Sequence, residues 1–79
     1  MLDLKNKVVL ITGSTGGIGA STARKMHSKG AKLILSGTRQ EALNSLVSEF
    51  NNDAKAIVTD FNVKDDILSL AQKAEECFG

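Results

Sequence analysis

The sequence predicts an α/β protein built as β-α-β-α-β-α, one half of a doubly wound parallel sheet in three layers. Three observations carry this expectation. Short aliphatic runs alternate with amphipathic stretches, and a glycine-rich loop joins the first run to the first such stretch. Proline is absent from all 79 residues, so glycines and the Asn51-Asn52-Asp53 turn supply the punctuation.

The aliphatic runs are "KVVLIT" (7–12), "KLILS" (32–36) and "KAIVT" (55–59). Continuous runs of this length, bounded by turn residues, suit strands buried on both faces of a parallel sheet. The first helix is expected from Ile18 to Lys29, with Ile18, Thr22, Ala23 and Met26 on its apolar face and Gly30 as its left-handed cap. The second is expected from Gln40 to Phe50, where Leu43, Leu46, Val47 and Phe50 recur at i, i+3, i+4, i+7. The third is expected from Lys64 to Phe78, with Ile67, Leu70, Ala71, Ala74 and Phe78 on one stripe. Right-handed crossovers set the three strands side by side, with helices covering the faces.

Composition removes several classes of function. Hydrophobic residues at 42% and charged residues at 24% are ordinary for a globular domain. Ten basic against nine acidic side chains leave a charge of +1, and the basic ones are scattered, so no nucleic-acid partner is expected. No apolar run approaches the ~20 residues of a membrane span, and "MLDLKNK" lacks a signal-peptide core. Cys77 stands alone, which fits a reducing, cytoplasmic setting and an inert thiol near a helix end. His27 reads as a surface or boundary residue. No set of Cys, His or acidic residues has metal-ligand spacing, and no metal is expected.

The stretch "VVLITGSTGGIG" (8–19) carries the chemistry. A buried strand ends at Thr12 and a helix starts near Gly17, which places free backbone N–H groups and a positive helix end at the strand's C-terminal edge. The spacing is T-G-x-x-x-G-x-G. Gly13 lets the chain turn out of the strand, a Cβ at Gly17 would obstruct a pyrophosphate, and Gly19 permits close packing of the helix. Ser14 and Thr15 are expected to add hydroxyl donors at the rim. The triphosphatase loop G-x-x-x-x-G-K-[ST] does not fit, because no Lys-Ser/Thr pair follows the glycines. A Rossmann-type dinucleotide site is the expectation.

At these residues the chain resembles the short-chain dehydrogenase/reductase family, whose glycine loop has the form T-G-x-x-x-G-[IL]-G. The resemblance covers the whole chain: "LKNKVVLITG" is similar to the family's first strand, "KGAKLILSGTR" to its second and "VTDFNV" to its third. Bacterial 3-oxoacyl-(acyl carrier protein) reductases, enzymes of fatty acid synthesis, are the members it resembles in particular. The resemblance implies that Gly13, Ser14, Thr15, Gly16 and Ile18 hold the pyrophosphate and ribose, and that Asp60 and Phe61 hold adenine. An Asp60 that merely caps the loop before the third helix is the alternative.

The second strand ends at Ser36-Gly37-Thr38-Arg39. An NADH site places a carboxylate near this point for the ribose diol, and Gly37 has none. Arg39, with Thr38, is suited instead to a 2′-phosphate, and Glu41, the nearest acid, is expected to project from the following helix. NADPH is therefore favoured over NADH. Many NADPH-using relatives carry a basic residue where this chain has Gly16, which leaves Arg39 to act alone.

The family's reaction uses Ser, Tyr and Lys, the last two as Y-x-x-x-K, and this chain has no tyrosine. "NNDA" (51–54) precedes the third strand and is no substitute for the family's N-N-A-G segment. No catalytic residue is therefore expected within residues 1–79, which read as one partial NAD(P)-binding domain ending before a fourth strand. The parent reductase, by resemblance a homotetramer, would act on a carbonyl substrate. A stand-alone nucleotide-binding module or a non-functional fragment is the alternative. The first strand, central in the full fold, is expected to have one bare edge here, and a half-fold this small to be marginally stable.

Overall fold

A computed structural model describes residues 3–77. Its elements follow the expected order: β1 (Val8–Thr12), α1 (Gly17–Ser28), β2 (Lys32–Gly37), α2 (Gln40–Val47), β3 (Ala54–Val58) and α3 (Lys64–Cys77). The strands form one parallel sheet in the order β1-β2-β3, with Val8 opposite Lys32 and Leu33 opposite Ala54. That order leaves β1 at an edge of the sheet, with its outer side unpaired among the described residues.

Alternation along the strands divides the core between two faces. Leu33 and Leu35 join Ile11, Ala23, Leu43, Leu46 and Phe50 beneath α1 and α2. Ile34 and Ile57 meet Leu70 of α3 on the opposite face. Helices on both sides of a sheet make the three layers.

β2 is buried on both faces from Leu33 to Gly37. In β1, Val8 is 47% and Leu10 43% exposed, because among the described residues no helix covers that side of the strand. The α1 face also differs from expectation. Ile18 is 86% exposed, and the face turned inward is Gly19, Ala20, Ala23 and Met26. The reason lies in the first turn, where α1 lies so close to the loop that a Cβ at Gly19 would fall 2.5 Å from the Gly13 carbonyl oxygen. Gly30 has φ +99°, the expected left-handed stop.

The second helix leaves its α geometry after Val47 and tightens into a 3₁₀ segment over Ser48–Asp53, where Asn51 takes φ +55°. Phe50 is nonetheless buried. Arg24 clasps Glu49 through Nε and Nη2, both at 2.9 Å, tying α1 to this segment. The pairing holds the Glu49 carboxyl below the usual carboxylate range, the hydrogen bond from Arg24 being the main cause. His27 Nε2 lies 3.0 Å from Asp53 Oδ2, and its ring meets Phe50 edge-on, as suits a boundary residue.

On α3 the inward stripe is Leu70, Ala74 and Cys77. Ile67 is 44% exposed and Ala71 is exposed too, while Phe78 lies outside the described residues. A helix resting only on Ile34 and Ile57 buries a narrower stripe than one seated in a broad sheet.

Candidate dinucleotide site

Because the strands are parallel, the loops that follow them open along one edge of the sheet. That edge gathers Gly13–Gly17 after β1, Thr38 and Arg39 after β2, and Asp60 and Phe61 after β3. All nine residues singled out in the sequence lie at this edge, with Ile18 in the first turn of α1.

The turn out of β1 depends on Gly13, whose φ of +62° is left-handed. The chain then enters α1 through Gly16, an extended N-cap (φ −74°, ψ 163°) with no side-chain cap. The first intrahelical bond runs from the Ala20 N–H to the Gly16 carbonyl. The amides of Gly17, Ile18 and Gly19 therefore precede the hydrogen-bond ladder, at the positive end of the helix. No acidic residue stands in this first turn, and a Cβ built on Gly17 meets nothing within 4 Å. Open space, unpaired donors and a positive dipole end fit a pyrophosphate.

Ser14 departs from expectation. It is fully buried, and both its N–H and its hydroxyl donate to the Ser36 carbonyl, at 3.2 and 3.1 Å. Its hydroxyl is thus spent inside the fold, not offered at the rim. Thr15 is half-buried, with its methyl beside Gly37. From Ser36 the network continues, since its hydroxyl donates to Thr59 Oγ1 at 2.9 Å and the Thr59 N–H donates to the Gly37 carbonyl. Ser36 and Thr59 are both buried. This ladder ties the loops after β1 and β3 to the end of β2, and the sequence signal for it is a hydroxyl residue at or just past the end of each strand.

Arg39 is exposed and precedes α2, whose N-terminus has no side-chain cap. Its guanidinium makes no hydrogen bond or ion pair among the described residues, while its carbonyl accepts the Leu43 N–H at 3.1 Å. Asp60 accepts the Asn62 N–H on Oδ1 at 2.9 Å, so the loop-capping role considered for it is present. Its Oδ2 makes no hydrogen bond among the described residues. Phe61 is 40% exposed beside it. A cleft of about 260 Å³ lies here, lined by Thr38, Val58, Thr59, Asp60 and Asp66.

Residues 7–79 match the family model for the short chain dehydrogenases. The chain belongs to this family. Nodulation protein G of a Rhizobium species is 39% identical over 75 residues, covering 95% of this chain and 31% of that protein. A short-chain dehydrogenase/reductase from Burkholderia phymatum in complex with NAD superposes with a TM-score of 0.89 at 32% identity, over 100% of this chain and 29% of that one. A 3-ketoacyl-(acyl-carrier-protein) reductase from Brucella melitensis complexed with NADH gives 0.91 at 27% identity, over 98% and 32%. The chain thus spans about a third of the length of the curated relatives it matches.

The fold is the N-terminal half of the dehydrogenase's Rossmann domain, and the family binds a nicotinamide dinucleotide. Among the described residues no group of three or more His, Cys, Asp or Glu could hold a metal ion, and no helix is long and apolar enough to cross a membrane.

Proposed function

We propose that the chain is the cofactor-binding part of an NADPH-dependent short-chain reductase of the cytoplasm. Its substrate class is a carbonyl, specifically a 3-oxoacyl-(acyl carrier protein) thioester of fatty acid synthesis, and the whole protein works as a homotetramer. The observation that carries the reading is the uncapped, acid-free start of α1 beside the left-handed Gly13. Gly13, Thr15, Gly16 and Ile18 surround the pyrophosphate and its ribose through backbone and rim contacts, while Ser14 holds the loop from within. Thr38 and Arg39 take the 2′-phosphate, and Asp60 and Phe61 take adenine. The chemistry such a dinucleotide supplies when bound is hydride transfer to a carbonyl carbon.

Support for NADPH comes from the exposed Arg39 and from Gly37, which offers no carboxylate to a ribose diol. NADH is the competing cofactor, since the two solved neighbours named above carry NAD and NADH. Melting curves with each dinucleotide separate the two. NADPH should raise the melting temperature more than NADH, and Arg39→Ala should weaken NADPH about tenfold while sparing NADH. Equal losses for both would remove Arg39 from the phosphate site. No rise with either at millimolar ligand would sink the reading altogether.

A further inference from the structure

The loop between β3 and α3 is fastened from the helix side. Asp66, in the first turn of α3, accepts the backbone N–H of Asp60 on Oδ2 at 3.0 Å. The Asp60 carbonyl accepts the Val63 N–H at 3.0 Å, and the Val63 carbonyl accepts the Asp66 N–H at 3.1 Å. The result is a closed clasp around residues 60–66, at the wall of the cleft that Thr38, Thr59 and Asp60 also line.

We propose that Asp66 is a positioning residue for adenine: by gripping the Asp60 amide it fixes the direction of the Asp60 side chain and of Phe61. This rests on the dinucleotide reading above. A carboxylate in a first helical turn has an ordinary use, which is to favour the positive end of the helix. Asp65 already supplies that charge one position earlier, is exposed, and makes no bond to the loop. The grip on Asp60 therefore distinguishes Asp66 from its neighbour. Asp60 in turn spends Oδ1 on the Asn62 N–H, which leaves Oδ2 to meet an amino group on a base. With its N–H held by Asp66 and Oδ1 held by the Asn62 N–H, Asp60 is fixed at both backbone and side chain along the cleft wall.

The test is the affinity of the full chain for ADP, which carries adenine and pyrophosphate but no nicotinamide. Asp66→Ala should weaken ADP about fivefold, the scale of one hydrogen bond. Asp66→Asn keeps an acceptor oxygen and should stay within about twofold of wild type, as should Asp65→Ala, which removes only charge. Asp66→Ser, a good first-turn residue too short to reach Asp60, should match Asp66→Ala and serves if the alanine variant fails to fold. Amide exchange at Asp60 in the unmutated chain gives an independent reading and should be slow. Equal ADP affinity in wild type and Asp66→Ser would overturn the proposal. So would an Asn variant as weak as the Ser variant, an Asp65→Ala loss as large, or free-peptide exchange at Asp60. An unmutated chain that does not bind ADP would instead overturn the dinucleotide reading itself.

Discussion

Two helices begin at the same edge of the sheet, and their first turns are made in opposite ways. α1 starts behind a glycine with no side-chain cap and no acid, so no side chain takes its leading amides. α3 starts with Asp65 and Asp66, and the latter's carboxylate is tied back to the preceding loop. An isolated helix gains from acids at its start, and α3 has that gain in Asp65 and Asp66. The start of α1 forgoes that gain and keeps its positive end available. That contrast is what the pyrophosphate site proposed at α1 requires.

The largest effect should come from forcing a side chain into the close approach beneath α1. Gly19→Ala puts Cβ at 2.5 Å from the Gly13 oxygen and 2.7 Å from Ser14 Cα, backbone atoms that cannot step aside. A loss of about 2–3 kcal/mol is expected in urea unfolding, by the usual scale of overpacking. Unfolding unchanged within error would show that the approach is not tight in solution.

Gly17→Ala is the complementary substitution, because open space surrounds that position. The chain should keep its stability or gain up to about 1 kcal/mol from the better helix former. NADPH binding, followed by titration, should nevertheless fall by about tenfold or more as the methyl meets the pyrophosphate. Retained affinity would move the anion elsewhere.

A third substitution converts one helix start into the other. Ile18→Glu places a carboxylate in the first turn of α1 at an exposed position. Thermal melting of the free chain should show a gain of about 0.5 kcal/mol, and dinucleotide affinity should drop as the carboxylate competes for the same field. If both rose together, the α1 start would not be the anion site.

The smallest effect lies away from both helix starts, at the Arg24–Glu49 pair. The folded state holds the Glu49 carboxyl below its ordinary value of 4.5, so the stabilisation is complete above that pH and fades as acid protonates the folded carboxylate. Glu49→Gln should therefore lower the melting temperature slightly at neutral pH, with the difference shrinking as acid removes the same contribution from the unmutated chain. A larger difference in the acid limb than at pH 7 would contradict that sign.

Where the sequence was legible, short-range physics decided the outcome. The three aliphatic runs became the three strands within a residue or so at each end, and the glycine loop lies between strand and helix as its spacing required. What escaped depended on neighbours distant in the chain. Ile18 has the periodicity of a buried residue, yet the glycine one step on takes the inward place. Val8 and Leu10 read as buried, but burial depends on what covers a strand, which its own residues do not encode. The end of α2 at Val47 carried no glycine or proline to announce it. Ser14 looked like a rim donor because its acceptor, the Ser36 carbonyl, belongs to another strand.

The buried ladder from Ser14 through Ser36 to Thr59 bears on the entropy of recognition. A ligand that gathers three independent loops must quench the freedom of each at the moment it binds, and its affinity falls accordingly. Here the loops after β1 and β3 lost that freedom earlier, when the strands came together and the hydroxyls found their partners inside the sheet. The edge meets its ligand already ordered, with the conformational cost charged to folding instead of to binding.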